Sequence, residues 1–262
     1  MPPEIEPRLD ALLDAALPHV PFDGWTERTF EAAARDAGLS REEARALAPR
    51  GAIDLAAAFH QRGDAAMARR LAREPLEDMR VRARIAFAVR ARIEAIGDRE
   101  AARRAAAAFA LPQNAARGAR LIWDTSDAIW TALSDPSDDI NWYTKRATLA
   151  GVYASAVLFW LGDDSEGNAA TWDFVDRRIE DVMRIERAKG AARSSKLFSA
   201  LWAGPAWALG HVRAPMRMPR GDMPGVWAPS EPAAPGADPA PGPRAHPEEE
   251  RRDGEGPLAP AS

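Results

Sequence analysis

The sequence predicts an all-α protein: a helical bundle followed by a proline-rich tail. Three observations carry that expectation. Apolar residues recur three and four positions apart through roughly the first 212 residues, the period of one helix face. Runs of alternating β-branched residues, and strand pairs joined by Asn-Gly or Asp-Gly turns, are missing. Beyond Ala214 the composition changes, with 12 of the 22 prolines in residues 215–262 beside the acidic run Glu248-Glu249-Glu250. Such a segment has no periodic apolar face to bury and is expected to be disordered.

The elements follow in order. Leu9, Leu12, Leu13 and Leu17 mark a first helix that stops near Pro18. Thr29 to Gly38 forms a second, closed by Gly38 as a helix-ending glycine. Ser40 opens a third, and Glu43 three residues on completes a capping box. Ala52 to Arg62 is a fourth and Met67 to Glu74 a fifth, closed by Pro75. Glu77 to Ile96 carries Val81, Ile85, Val89, Ile93 and Ile96 on one face and Arg80, Arg82, Arg84, Arg90 and Arg92 on the others. Asp98 caps a short helix that ends at Pro112. Gln113–Leu133, Asp139–Leu161 and Ser165–Ala188 follow, the last burying Trp172, Val175, Ile179 and Val182. About nine helices with short connections make a bundle. Four regions are expected: 1–62, helix-turn-helix-like; 63–190, the larger helical domain; 191–213, a linker and amphipathic helix; and the tail 214–262.

Composition excludes several chemistries. With no cysteine and only His19, His60, His211 and His246, thiolate metal sites, cysteine nucleophiles and paired-histidine zinc spacing are absent. Neither a metal nor another cofactor is expected. No phosphate-binding loop, dinucleotide fingerprint or nucleophile elbow occurs. The acidic clusters Asp135–Asp139 and Asp163-Asp164-Ser165-Glu166 lie just before helices, where carboxylates cap amides. The chain is therefore expected not to be an enzyme. Its N-terminus lacks the order of a secretion signal or transit peptide, and no apolar run reaches the ~20 residues of a spanning helix.

Residues 25–62 have helix-turn-helix spacing, with Gly38 at the turn. A DNA-reading second helix would present Arg41, Glu42, Glu43 and Arg45. Residues 1–60 hold six basic residues against eleven acidic ones, the wrong sign for phosphate contact. Nucleic-acid binding is not expected. Residues 62–104 are basic, twelve against seven, and read either as plain solvated surface or as a face for an anionic partner.

Two readings stay open for the aromatic half. Ile85, Val89, Ile122, Trp123, Ile129, Trp130, Leu149, Tyr153, Val157 and Trp160 sit on three neighbouring helices, and 147–161 is apolar on nearly every face. They form either a filled core or the lining of an apolar tunnel. Trp142 and Tyr143, one turn before Lys145 and Arg146, either plug the end of a core or are displayed for a partner. The segment 196–212 places Leu197, Phe198, Leu201, Trp202, Trp207 and Leu209 between Arg193, Lys196 and Arg213. That is the composition of a surface membrane contact, interrupted by Gly204-Pro205.

The runs Asp139-Ile140-Asn141-Trp142-Tyr143-Thr144-Lys145-Arg146, His19-Val20-Pro21-Phe22-Asp23-Gly24-Trp25-Thr26, Leu121-Ile122-Trp123-Asp124 and Thr171-Trp172-Asp173-Phe174-Val175 resemble the ninth coenzyme Q biosynthesis protein family over roughly residues 8–190. The resemblance implies a bacterial member with a TetR-like fold, a degenerate helix-turn-helix and a homodimer. It implies a non-enzymatic role. Isoprenoid quinone lipid is held in the helical domain, and Trp142 and Tyr143, with Lys145 and Arg146, meet the demethoxyubiquinone hydroxylase. The 196–212 helix touches the membrane, giving a cytoplasmic protein peripherally attached to the inner membrane. A ligand-responsive TetR-type transcriptional regulator is the alternative. The Gly204-Pro205 break and the proline-rich tail depart from the family pattern.

Overall fold

The computed structural model describes residues 5–137 and 140–193, and these fold into ten α-helices with no strand among them. Helix α1 (Pro7–Ala16) begins on Pro7, whose missing N–H costs nothing in a first turn. The short α2 (Val20–Asp23), which the periodicity did not predict, ends at Gly24 in the left-handed region (φ +66°). Helices α3 (Glu27–Asp36) and α4 (Arg41–Leu47) form the expected helix-turn-helix. Gly38 turns the chain between them at φ +66°, and the Ser40–Glu43 capping box is complete at both bonds.

The predicted break near residue 63 does not occur. Helix α5 runs unbroken from Ala52 to Leu71. Gly63 is a close-approach residue: a Cβ there would lie 2.5 Å from Nη1 of Arg92, so only glycine admits that guanidinium. After a 3₁₀ turn at Leu76–Asp78, α6 spans Val81–Glu94, starting four residues later than expected. Asp98 caps α7 (Arg99–Ala110) by accepting from the Ala101 amide at 2.9 Å. Pro112 is the first residue of α8 (Pro112–Ala132). Helix α9 is Ile140–Leu161. A 3₁₀ turn at Glu166–Asn168 precedes α10 (Ala169–Arg193), four residues beyond the predicted start.

Two apolar clusters build the interior. Leu12, Leu13, Val20, Phe30 and Leu55 centre the first, which also takes Ala101 and Ala105 of α7. Met67, Leu71, Ile85, Val89, Ile93, Ile129, Tyr153, Val175 and Ile179 centre the second. Each such side chain contributes about 1.5–3 kcal/mol by leaving water. Helix α5 serves both clusters, and Phe59 packs against each. The Trp25 indole donates to the Ala101 carbonyl at 3.1 Å, tying the helix-turn-helix to α7.

Candidate functional site

Helix α9 is apolar around most of its circumference, and two cavities flank it. The larger, about 490 Å³, lies among α6, α8, α9 and α10. Ile85, Trp130, Leu149, Val152, Ile179 and Val182 form its greasy wall, within the ~300–1,000 Å³ range of ligand sites. Its polar lining includes Arg84, Asp135, Asn141, Thr144, Lys145 and Thr148. Lys145 Nζ donates to Asp135 at 2.7 Å and to Ser137 at 2.6 Å, and stands 5.3 Å from the Trp130 ring centre. The Trp130 indole donates to the Lys145 carbonyl at 3.1 Å. Burial pushes the Asp135 carboxyl up, but hydrogen bonds from Lys145, Ser137 and Arg146 outweigh it and hold the group below the usual carboxylate range.

The smaller cavity, about 280 Å³, lies among α5, α6, α7, α8 and α9. Its walls are Phe59, Phe109, Ile122, Val157 and a row of alanines. Its floor is polar. Arg92, expected on a solvated face, is 1% exposed. Its Nε donates to Asp64 at 2.6 Å and its Nη2 to the His60 carbonyl at 2.8 Å. Thr125 joins Asp64 (2.7 Å) to His60 Nε2 (2.8 Å). Burial, and then the Arg92 charge, push His60 down to about 4. Burial pushes the Tyr153 hydroxyl up to about 12. Sequence reasoning missed this floor. The available signal was a carboxylate four residues after a histidine inside an alanine-rich helix, with a glycine between them.

The ten residues expected to line one tunnel are divided. Ile85, Trp130 and Leu149 line the larger cavity, and Ile122, Tyr153 and Val157 the smaller. Val89 and Ile129 are fully buried core. Trp160 is 7% exposed beneath the Arg99 guanidinium, 4.7 Å from its ring centre. Trp123 packs against Trp142 at 6.0 Å and Tyr143 at 6.5 Å. Nor is α9 enclosed on every side, since Leu158 is 65% and Phe159 37% exposed.

For the aromatic pair, the open choice resolves residue by residue. Trp142 is 7% exposed and plugs the bundle end. The Arg146 guanidinium lies 4.0 Å from its ring centre, and Tyr143 meets it edge-on at 4.7 Å. Arg146, expected to face a partner, is 1% exposed. It bridges Asp127 (2.5 Å) and Asp135 (3.4 Å) and donates to the Trp142 carbonyl at 3.1 Å. Tyr143 and Lys145 are half-buried and keep accessible surface.

Asp135 thus anchors two cations. Asp163 does cap: it accepts from the Ser165 and Thr171 amides and the Thr171 hydroxyl, bonds that hold its carboxyl far below the usual range. In the helix-turn-helix, Arg41 pairs with Glu27 and Glu31, and Arg45 with Glu27. Leu197, Phe198, Leu201, Trp202, Trp207 and Leu209 lie outside the described residues. Among the described residues no helix is long and apolar enough to cross a membrane.

Residues 115–186 match the COQ9 family. The mitochondrial ubiquinone biosynthesis protein COQ9 of Rattus norvegicus is 31% identical over 192 residues, 70% of this chain and 61% of that protein. That of Drosophila melanogaster is 29% identical over 186 residues, 67% of this chain and 55% of that protein. The chain thus spans little more than half the length of these relatives. A crystal structure of the TetR transcriptional regulator from Nitrosomonas europaea superposes with a TM-score of 0.56 at 19% identity, covering 67% of this chain and 97% of that one. The fold is therefore TetR-like, as the resemblance implied.

Proposed function

From the premise that this chain is a relative of the COQ9 proteins, we propose that it is a non-enzymatic accessory protein of ubiquinone biosynthesis. It lifts the tail of a polyprenyl quinone intermediate part-way out of the bilayer and presents the head to the demethoxyubiquinone hydroxylase. The observation that carries this reading is the position of the larger cavity. Its wall is apolar, and its rim residues Asn141 and Lys145 flank Trp142 and Tyr143 on α9. Each tail CH₂ that such a wall keeps from water is worth about 0.8 kcal/mol. Tyr143 and Lys145 offer the accessible part of the hydroxylase surface, with Trp142 and Arg146 holding it in place from beneath. Segment 196–212 provides the membrane contact, on the cytoplasmic face of the inner membrane. Two copies pair as in TetR-like proteins. The salt-bridged Arg41 and Arg45 and the acidic N-terminal region favour the lipid reading over a transcriptional regulator.

The test is mass spectrometry of lipids extracted from the purified chain, beside a Val182→Trp variant that fills the larger cavity. The expected result is a prenylated quinone or its precursor with the unaltered chain, and its loss from the variant. Tight, salt-dependent binding to duplex DNA with no extracted prenyl lipid would overturn the proposal.

A further inference from the structure

We propose that the smaller cavity is a second binding site, separate from the tail site, for a neutral molecule of about one or two rings that carries a carbonyl-type oxygen. Size sets the first limit. A cavity of about 150 Å³ holds benzene, so about 280 Å³ admits a substituted ring system and excludes a long polyprenyl chain. The walls favour an apolar body: Phe59, Phe109, Ile122 and Val157 with Ala102, Ala105 and Ala106. Gly118 shapes the α7–α8 wall, because a Cβ there would sit 2.8 Å from Phe109. The opening lies at Ala110, Ala119 and Leu158, all exposed.

The floor sets the chemistry. Arg92 and Asp64 cancel one another at 2.6 Å, and His60 is uncharged near neutral pH. The floor therefore carries no net charge, and a buried anion would lose its hydration without an uncommitted cation to meet it. Donors outnumber acceptors. Arg92 has five N–H groups, and its two floor bonds are to Asp64 and the His60 carbonyl. Tyr153, 1% exposed, lines the cavity, and among the described residues no group hydrogen-bonds its hydroxyl. Its raised pKa keeps that hydroxyl protonated as a donor. The hydroxyl is thus a donor turned to the cavity, and a ligand oxygen that accepts would pair with it away from bulk water.

The test uses three matched probes on the full chain, titrated by NMR: 2-acetylnaphthalene, 2-naphthoate and 2-ethylnaphthalene. The ketone is expected to bind about tenfold or more tightly than either of the others. Tyr153→Phe keeps the ring and should weaken the ketone about tenfold while leaving 2-ethylnaphthalene unchanged. Ala106→Phe, checked for folding by circular dichroism, should abolish binding of all three, and Val182→Trp should change none. Naphthoate binding as tightly as the ketone would overturn the proposal, as would a Tyr153→Phe variant with unaltered preference. Loss of binding in Val182→Trp would place the probes in the larger cavity and overturn it too, whereas failure of the tail site alone leaves these titrations intact.

Discussion

The two cavities beside α9 differ in where their charges lie. In the larger, Lys145 and Asp135 pair at the rim and most of the wall is hydrocarbon. In the smaller, Arg92 and Asp64 pair at the floor, beside a tyrosine hydroxyl. One helix therefore serves two chemistries. Leu149 and Val152, on one face of it, bound a space that discriminates by length and greasiness. Tyr153 bounds a space that discriminates by the position of an oxygen. At the rim Lys145 stays partly hydrated and governs access or docking, while its partner Asp135 is buried and shared with Arg146. Floor charges are desolvated, and their cost is tolerable only because each is paired.

The largest expected effect breaks the floor. Asp64→Ala leaves Arg92 buried without its carboxylate, and urea unfolding should report a loss of about 3–5 kcal/mol. A loss under about 1 kcal/mol would place Arg92 in water and remove the contrast with the rim. Next, Trp142→Ala should cost about 3–5 kcal/mol in the same measurement, the range for emptying a buried aromatic site. Tyr143→Ala should cost far less yet weaken capture of the hydroxylase. Equal stability losses would make Tyr143 core and deny the rim its docking role.

A third prediction uses pH. His60 titrates near 6.5 in the unfolded chain and near 4 in the folded one. Between those values the unfolded chain binds the extra proton. Stability is therefore full above about 6.5, falls as pH drops toward about 4, and then levels, by roughly 3 kcal/mol in all. His60→Asn should flatten that window. The same slope in the variant would show that His60 is solvated. The smallest effect concerns the rim alone. Lys145→Met should change stability by about 1 kcal/mol or less, because Lys145 is part-exposed and Asp135 keeps Arg146 and Ser137, while altering hydroxylase capture.

Much of the helical order was legible because helical period and caps are local signals. The Ser40–Glu43 box, the Asp98 cap and the end of α7 just before Pro112 all stand where local chemistry puts them. The break expected between Arg62 and Met67 does not occur, and the reason is non-local. Gly63 answers to Arg92, 29 positions away in sequence, and no window along α5 contains that partner. The same non-locality hid the smaller cavity's floor, whose members come from α5, α6, α8 and α9. The aromatic lining was recognisable as a set. Its division into two cavities and a solid seam at Val89 and Ile129 depends on packing that periodicity does not encode.

The central claim is that hydrocarbon occupies the larger hollow beside α9. A crystal structure of the chain with a short-tailed prenyl quinone tests it most directly. The account predicts continuous density for isoprene units between Leu149 and Ile179, with the ring near Lys145. Density confined elsewhere, or α6 and α10 closed against α9 with the hollow gone, would contradict it.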